Sequence, residues 1–174
     1  MKCQLEKPAD FSFMNFKKLK GTKPDTVHTT RIGTPATGES HKFLTRAVWL
    51  NNNRLTDIKY VDIFIESILE FPTALAWLDL SFNNIEEIDL SLLKFTNLRI
   101  LYLHGNNISD VKELLKLKAL KLLKTLTVHG NPVYSKKNYR QYLITMMPQI
   151  VNLDFTRITD IERNSATALQ RVIE

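Results

Sequence analysis

The sequence contains a single cysteine, Cys3, and no apolar run approaching the length of a membrane span. One thiol cannot close a disulfide within its own chain, so a reducing compartment is expected. A spanning helix needs about 18 or more consecutive apolar residues, and none is present. The first ten residues carry Lys2, Glu6, Lys7 and Asp10 with no apolar stretch behind them. Neither secretion nor membrane insertion is therefore expected, and the location is read as cytoplasmic. In that compartment the sequon Asn107-Ile108-Ser109 reads as part of a loop rather than a glycan acceptor.

Charge of either sign is scarce as a net quantity over most of the chain. The formal charge is +6, but residues 1–46 hold nine lysines and arginines against four acids, and residues 47–174 hold fifteen against fourteen. Any electrostatic attraction to an acidic partner thus belongs to the N-terminal quarter.

What is present is an internal repeat. The pattern L-x-L-x-x-N-x-L recurs at Val48-Leu50-Asn53-Leu55, Leu78-Leu80-Asn83-Ile85, Leu101-Leu103-Asn106-Ile108 and Leu126-Val128-Asn131-Val133. The first two apolar positions alternate along a strand and point inward. The chain then turns while still buried, and the asparagine amide can serve backbone groups that the turn leaves unpaired. Helical spacing in the return segments, as in Ile63-Ile65-Ile68-Leu69 (closed by Pro72) and Leu114-Leu115-Leu117-Leu120, completes a strand-and-return unit. Stacked units bury a common core. The fold expected is an α/β leucine-rich-repeat solenoid: a curved parallel sheet of about five short strands, the fifth from Ile150, Leu153 and Phe155. The last unit of such a stack needs a cover, and the stretch from Asn164 reads as a terminal helix.

Residues 1–44 contain no repeat and hold three of the six prolines and three of the five glycines. They read as an extended basic N-terminal arm preceding a repeat domain at 45–174. Within the arm, Phe11, Phe13, Met14, Phe16 and Leu19 form an apolar cluster beside Lys17, Lys18 and Lys20. Two readings follow. The cluster caps the open first repeat, or Phe11, Phe13 and Phe16 anchor a partner while Lys17, Lys18 and Lys20 steer an acidic one.

Between the inward residues, alternation places three columns on the concave face. These are Ala47, Trp77, Ile100, Thr125 and Asn152; then Trp49, Asp79, Tyr102, Thr127 and Asp154; then Asn51, Ser81, His104, His129 and Thr156. Large aromatics on a solvent face are candidate binding hot spots, so Trp49, Trp77, Asp79, Tyr102, His104, Thr127 and His129 form the expected partner-binding set. The competing reading is that the rings pack on one another or under the arm.

The repeats and the C-terminal run Asn138-Tyr139-Arg140-Gln141-Tyr142-Leu143, Met147-Pro148, Ile150, Leu153-Asp154 and Ile158 to Arg163 resemble short, capped cytoplasmic leucine-rich repeat proteins. A spliceosomal member and an axonemal dynein light chain carry similar caps, which implies a C-terminal cap here from about residue 134. Non-leucine matches such as Trp49-Leu50-Asn51-Asn52-Asn53, Trp77-Leu78-Asp79-Leu80-Ser81-Phe82-Asn83 and Tyr102-Leu103-His104-Gly105-Asn106 resemble members found in ciliated cells. That likeness implies a non-enzymatic scaffold within a ciliary or axonemal assembly. Its partners would be other proteins, including an acidic surface such as that of tubulin. The spliceosomal cap implies the alternative, an adaptor in an RNA–protein complex.

Chemistry other than binding finds little in the sequence. His104 and His129 are neighbours in their column, but Asn51, Ser81 and Thr156 offer no third ligand of a usual type, so no metal or other cofactor is expected. Asp79, Ser81 and His104 fall close together without an implied pocket or oxyanion donor, so neither catalysis nor a small-molecule substrate is expected. Lysines 112, 116, 118, 121 and 124 lie on a return segment and read as a solvated convex face. Recognition of RNA would want basic residues among the aromatics, and the columns have none.

Overall fold

The computed structural model describes residues 7–22 and 33–173. Cys3, Lys2 and Lys23 lie outside these residues. Seven short strands follow one another: β1 (Ala9–Asp10), β2 (Ala47–Trp49), β3 (Trp77–Asp79), β4 (Ile100–Tyr102), β5 (Thr125–Thr127), β6 (Asn152–Leu153) and β7 (Thr156–Arg157). They form one sheet in chain order, with β1 to β6 parallel and β7 antiparallel to β6. Parallel neighbours need a crossover. Here it is made by α1 (Val61–Ile68), α2 (Val111–Leu115) and 3-10 turns such as Leu90–Lys94 and Lys116–Ala119. Register pairs Val48 with Leu78, Leu78 with Leu101, Leu101 with Leu126, and Leu126 with Leu153, a buried row. Leu50, Leu80, Leu103 and Val128 form a second buried row. In α1 the buried apolar side chains are Val61, Phe64, Ile65 and Ile68, whereas Ile63 is 57% exposed. The expected inward position of Ile63 is therefore corrected; Phe64 takes its place.

The asparagines form a ladder through the core. Asn83 Nδ2 donates to Leu80 O of its own turn (3.1 Å) and to Leu50 O of the turn before (3.0 Å), and its Oδ1 accepts from Leu55 N (3.0 Å). Asn106 repeats this with Leu103 O, Leu80 O and Ile85 N, and Asn131 with Val128 O, Leu103 O and Ile108 N. Each amide thus ties its own turn to the preceding one, where unpaired buried groups would each cost about 1–3 kcal/mol.

Asn53 needs a preceding turn as well, and the N-terminal segment provides it. Asn53 Nδ2 donates to Leu50 O and to Phe11 O (both 2.9 Å), and Oδ1 accepts from Phe16 N (3.0 Å). β1 pairs with β2, and Phe11 N and Phe13 N donate to Trp49 O and Asn51 O. Residues 9–16 are therefore a repeat half-turn in which Ala9, Phe11 and Phe16 stand at the apolar positions and Met14 stands where the asparagine would be. Among the described residues no earlier turn precedes it, so there is none for an asparagine at that position to tie. Phe11 is fully buried, and its ring packs against Phe16 (6.5 Å between centroids) and Phe64 (5.4 Å). The expected extended arm is corrected over this stretch: the boundary at 44/45 does not separate residues 9–19 from the repeats. The five expected strands are present as β2 to β6, and β1 and β7 extend their sheet to seven.

The other end is closed by α3 (Tyr139–Met146) and α4 (Asp160–Ile173), which pack on each other. Arg140 Nε donates to Glu162 (2.8 Å) and Nη1 to Leu153 O (3.0 Å). That guanidinium, with Thr159 N, holds the Glu162 carboxyl down to about 2. After β6 the chain does not continue as a repeat. Asp154 and Phe155 both adopt left-handed backbone (φ 52° and 61°), which turns the chain into β7. Thr156 pairs with Leu153 and so lies outside the third column, and Phe155 is 59% exposed instead of entering the core; both expectations are corrected by this turn.

Candidate functional site

The face of the sheet turned away from the core carries the first two columns in the expected register. Ala47, Trp77, Ile100, Thr125 and Asn152 pair in sequence, as do Trp49, Asp79, Tyr102 and Thr127. β1 extends the second column with Asp10, paired to Trp49.

Aromatic rings cover this face continuously. Trp49 meets Trp77 edge-on (5.4 Å between centroids, 67°), Trp77 meets Tyr102 (5.9 Å, 74°), and Tyr102 meets Phe155 (5.4 Å, 66°). Edge-to-face contact is the favoured geometry for such rings. Phe155 also lies 5.4 Å from His104 and 5.5 Å from His129, and Phe82 meets His104 at 5.0 Å. The expected mutual packing of the rings is thus present, and the half-buried rings support one another while keeping an outer surface. Phe82 and Phe155, both more than half exposed, belong to this floor and were not expected there. The available signal was their place in the turn directly after a strand, beside the column of His104 and His129.

The remaining polar members have fixed partners. Asp79 Oδ1 accepts from Ser81 N (2.9 Å) and Ser81 Oγ (2.6 Å), and burial raises the carboxyl above its ordinary value. His104 and His129 stack nearly parallel, 4.7 Å apart. His104 Nδ1 lies 2.8 Å from Thr127 Oγ1, and burial, followed by the neighbouring His129, lowers its basicity. Thr127 itself is fully buried, so its expected role as a partner contact is corrected: its hydroxyl bonds to His104 instead. Asp154 Oδ1 accepts from Val128 N (2.7 Å) and His129 N (2.9 Å), while Tyr139 donates its hydroxyl to Asp154 Oδ2. Ser81 is bonded to Asp79 and His104 to Thr127, so these groups form no nucleophile–base pair. The described residues contain no group of three or more candidate metal ligands.

The N-terminal candidates divide by packing. Phe11 is sealed in the core and Phe16 is half-buried against Phe64, so their expected role as anchors for a partner is corrected. Phe13 is 53% exposed. Lys17, Lys18 and Lys20 are exposed, with Lys20 Nζ 5.1 Å from the centroid of the Tyr60 ring.

Comparison with known proteins bears on this arrangement. The sequence model of the leucine-rich repeat family matches residues 55–173. Leucine-rich repeat-containing protein 51 of Bos taurus is 40% identical over 167 residues, covering 96% of this chain and 86% of that one. U2 small nuclear ribonucleoprotein A' of Saccharomyces cerevisiae is 39% identical over 90 residues, 51% of this chain and 37% of that one. Among solved structures, the crystal structure of the Drosophila melanogaster SNF/U2A' complex contains a similar fold, with TM-score 0.64 and 26% identity over 83% of this chain and 79% of that chain.

Proposed function

The chain belongs to the leucine-rich repeat family, and from that premise we propose that it is a protein-interaction scaffold whose partner sits on the open face of the sheet. One observation carries this reading: an unbroken aromatic floor from Trp49 to Phe155 whose rings each keep part of their surface exposed. Trp and Tyr dominate interface energetics because they bury large areas at small entropic cost. Trp49, Trp77, Tyr102 and His129 contribute to this contact surface, with Asp79 between the rings, and His104, only 8% exposed, supports it through its ring contacts.

The assembly we propose is ciliary or axonemal, with a cytoplasmic location. It is supported by the resemblance at the non-leucine positions and by the similarity to leucine-rich repeat-containing protein 51 along 96% of the chain. No helix among the described residues is long and apolar enough to cross a membrane. The exposed Lys17, Lys18 and Lys20, with Phe13 beside them, suit attraction to an acidic surface such as that of tubulin. Charge reversal at Lys17 and Lys18 should weaken such an association and its dependence on salt.

The second reading, an adaptor in an RNA–protein complex, is favoured by the similarity to U2A'. Against RNA contact through the open face stands the absence of lysine and arginine from its columns on β1 to β6, Arg157 on β7 lying at the edge.

Capture from ciliary and nuclear extracts with the wild-type chain, Trp77→Ala and Tyr102→Ala tests both readings. Truncation of a hot spot typically costs about 2 kcal/mol, roughly thirtyfold in affinity. Partners lost from both variants and recovered from the ciliary extract support the proposal. Full retention in both variants removes the open face from it, and partners found solely in the nuclear extract favour the adaptor.

A further inference from the structure

The open-face reading is the premise here, and the charge pattern on that face specifies the partner further. Asp79 lies in register between Trp49 on one side and Tyr102 on the other, with Trp77 two residues before it on the same strand. Its Oδ1 is occupied by the two donors of Ser81, and Oδ2 accepts no hydrogen bond among the described residues. The columns from β1 to β6 hold no lysine or arginine, and among the described residues Asp79 forms no ion pair. Beyond Trp49 in the same column, Asp10 adds a second carboxylate, fully buried and held by Ser12 in the same way. Both indole Nε1 atoms are buried, so the surface that Trp49 and Trp77 present is ring carbon.

Aromatic rings attract a cation through their quadrupoles, and a half-buried carboxylate with a vacant acceptor oxygen adds a directional contact. Lysine and arginine differ in how well they suit such a place. An ammonium is compact and strongly hydrated, whereas a guanidinium is planar, weakly hydrated and stacks on rings. We propose that the Trp49, Trp77, Asp79 and Tyr102 patch seats an arginine side chain of the partner protein. Its guanidinium lies on the aromatic floor and donates one N–H to Asp79 Oδ2.

The experiment uses the full chain and three blocked amino acids: N-acetyl-arginine methylamide, its lysine counterpart, and citrulline as the neutral isostere. The chain has two tryptophans, both on this patch, so their indole N–H signals in proton–nitrogen NMR spectra report on it alone. The arginine probe should shift both signals saturably at millimolar concentration. Citrulline should leave them in place, and lysine should bind more weakly. Asp79→Asn, which keeps an acceptor for Ser81, should weaken the arginine response about tenfold, the loss expected for one charge-assisted hydrogen bond. Absence of a saturable shift, an equal response to citrulline or lysine, or an unchanged affinity in Asp79→Asn would overturn the proposal.

A captured partner separates this failure from failure of the premise. If Trp77→Ala abolishes capture and Asp79→Asn does not change it, the open face is the interface and the arginine assignment is wrong. If neither variant affects capture, the open-face reading itself fails.

Discussion

One residue before each ladder asparagine the backbone is left-handed: Phe13 (one before Met14), Asn52, Phe82, Gly105 and Gly130 all have φ between 52° and 71°. Glycine adopts this conformation without cost, and other residues pay about 1–3 kcal/mol for it. At Gly105 a second constraint applies, because an added Cβ would lie 2.7 Å from Cδ1 of the Phe82 ring. Gly105→Ala should therefore destabilise the fold by about 2 kcal/mol, lowering the melting temperature by roughly 4–8 °C. Phe82→Ala combined with it should recover part of the loss by removing the clash, which thermal melts of the three proteins would show. His104 makes a second prediction at this scale. Its folded-state value lies below the ordinary 6.5 because burial disfavours the charged form, with His129 adding to the effect. Protonation thus favours the unfolded chain, so the stabilising contribution is present above pH 6.5 and is lost as pH falls below it. Melts between pH 7.5 and 5.5 should show a decline that is reduced in His104→Gln, and an unchanged slope in that variant would assign the decline to other groups.

At the scale of elements, the N-terminal half-turn is a structural cap built from an incomplete repeat. It supplies a strand to the sheet, an acceptor and a donor to Asn53, and the Phe11 ring to the core. Phe11→Ala should cost about 3–5 kcal/mol, the range for truncating a buried phenylalanine. Removal of residues 1–20 should also lower the melting temperature by several degrees, since it exposes the first buried row and leaves Asn53 without two partners. A truncated chain that melts with the wild type would show that β1 contributes little. The apolar cluster was visible in the sequence, but its alignment with the repeat was obscured because Met14 occupies the asparagine position. The strand pattern shrinks to Ala9 and Phe11, two residues too common to stand out.

At the scale of the whole molecule, each repeat buries its strand against its neighbours, so stability is shared along the array. Leu103 lies in a middle turn, fully buried, and Leu80 occupies the equivalent place one turn earlier. An aspartate at either position would place an unpaired charge in the core, at a cost of several kcal/mol or more. Leu103→Asp should therefore unfold the array or render the chain insoluble, whereas Leu122→Asp, at an exposed site, should melt near the wild type. Circular dichroism melts of both proteins check this pair. Normal melting of Leu103→Asp would contradict the register that places it in the second core row.

The sequence by itself determined the repeat: which leucines face inward, which asparagines close each turn, and which residues of β2 to β5 share a column on the open face. These follow from local periodicity, since strand alternation and the turn's need for a buried amide recur at constant spacing. The tertiary structure decided what happens where the period fails. The half-turn at residues 9–16 is recognisable because Asn53 and β2 hold it. The reversal at Asp154 and Phe155 depends on a backbone conformation that the leucine pattern does not encode. The aromatic floor required both levels. The columns placed Trp49, Trp77 and Tyr102 side by side, but only packing could bring in Phe82 and Phe155 from the turns and show Thr127 buried and bonded to His104. Side-chain reach across neighbouring turns depends on distances in space, and sequence spacing carries that information only while the repeat is regular.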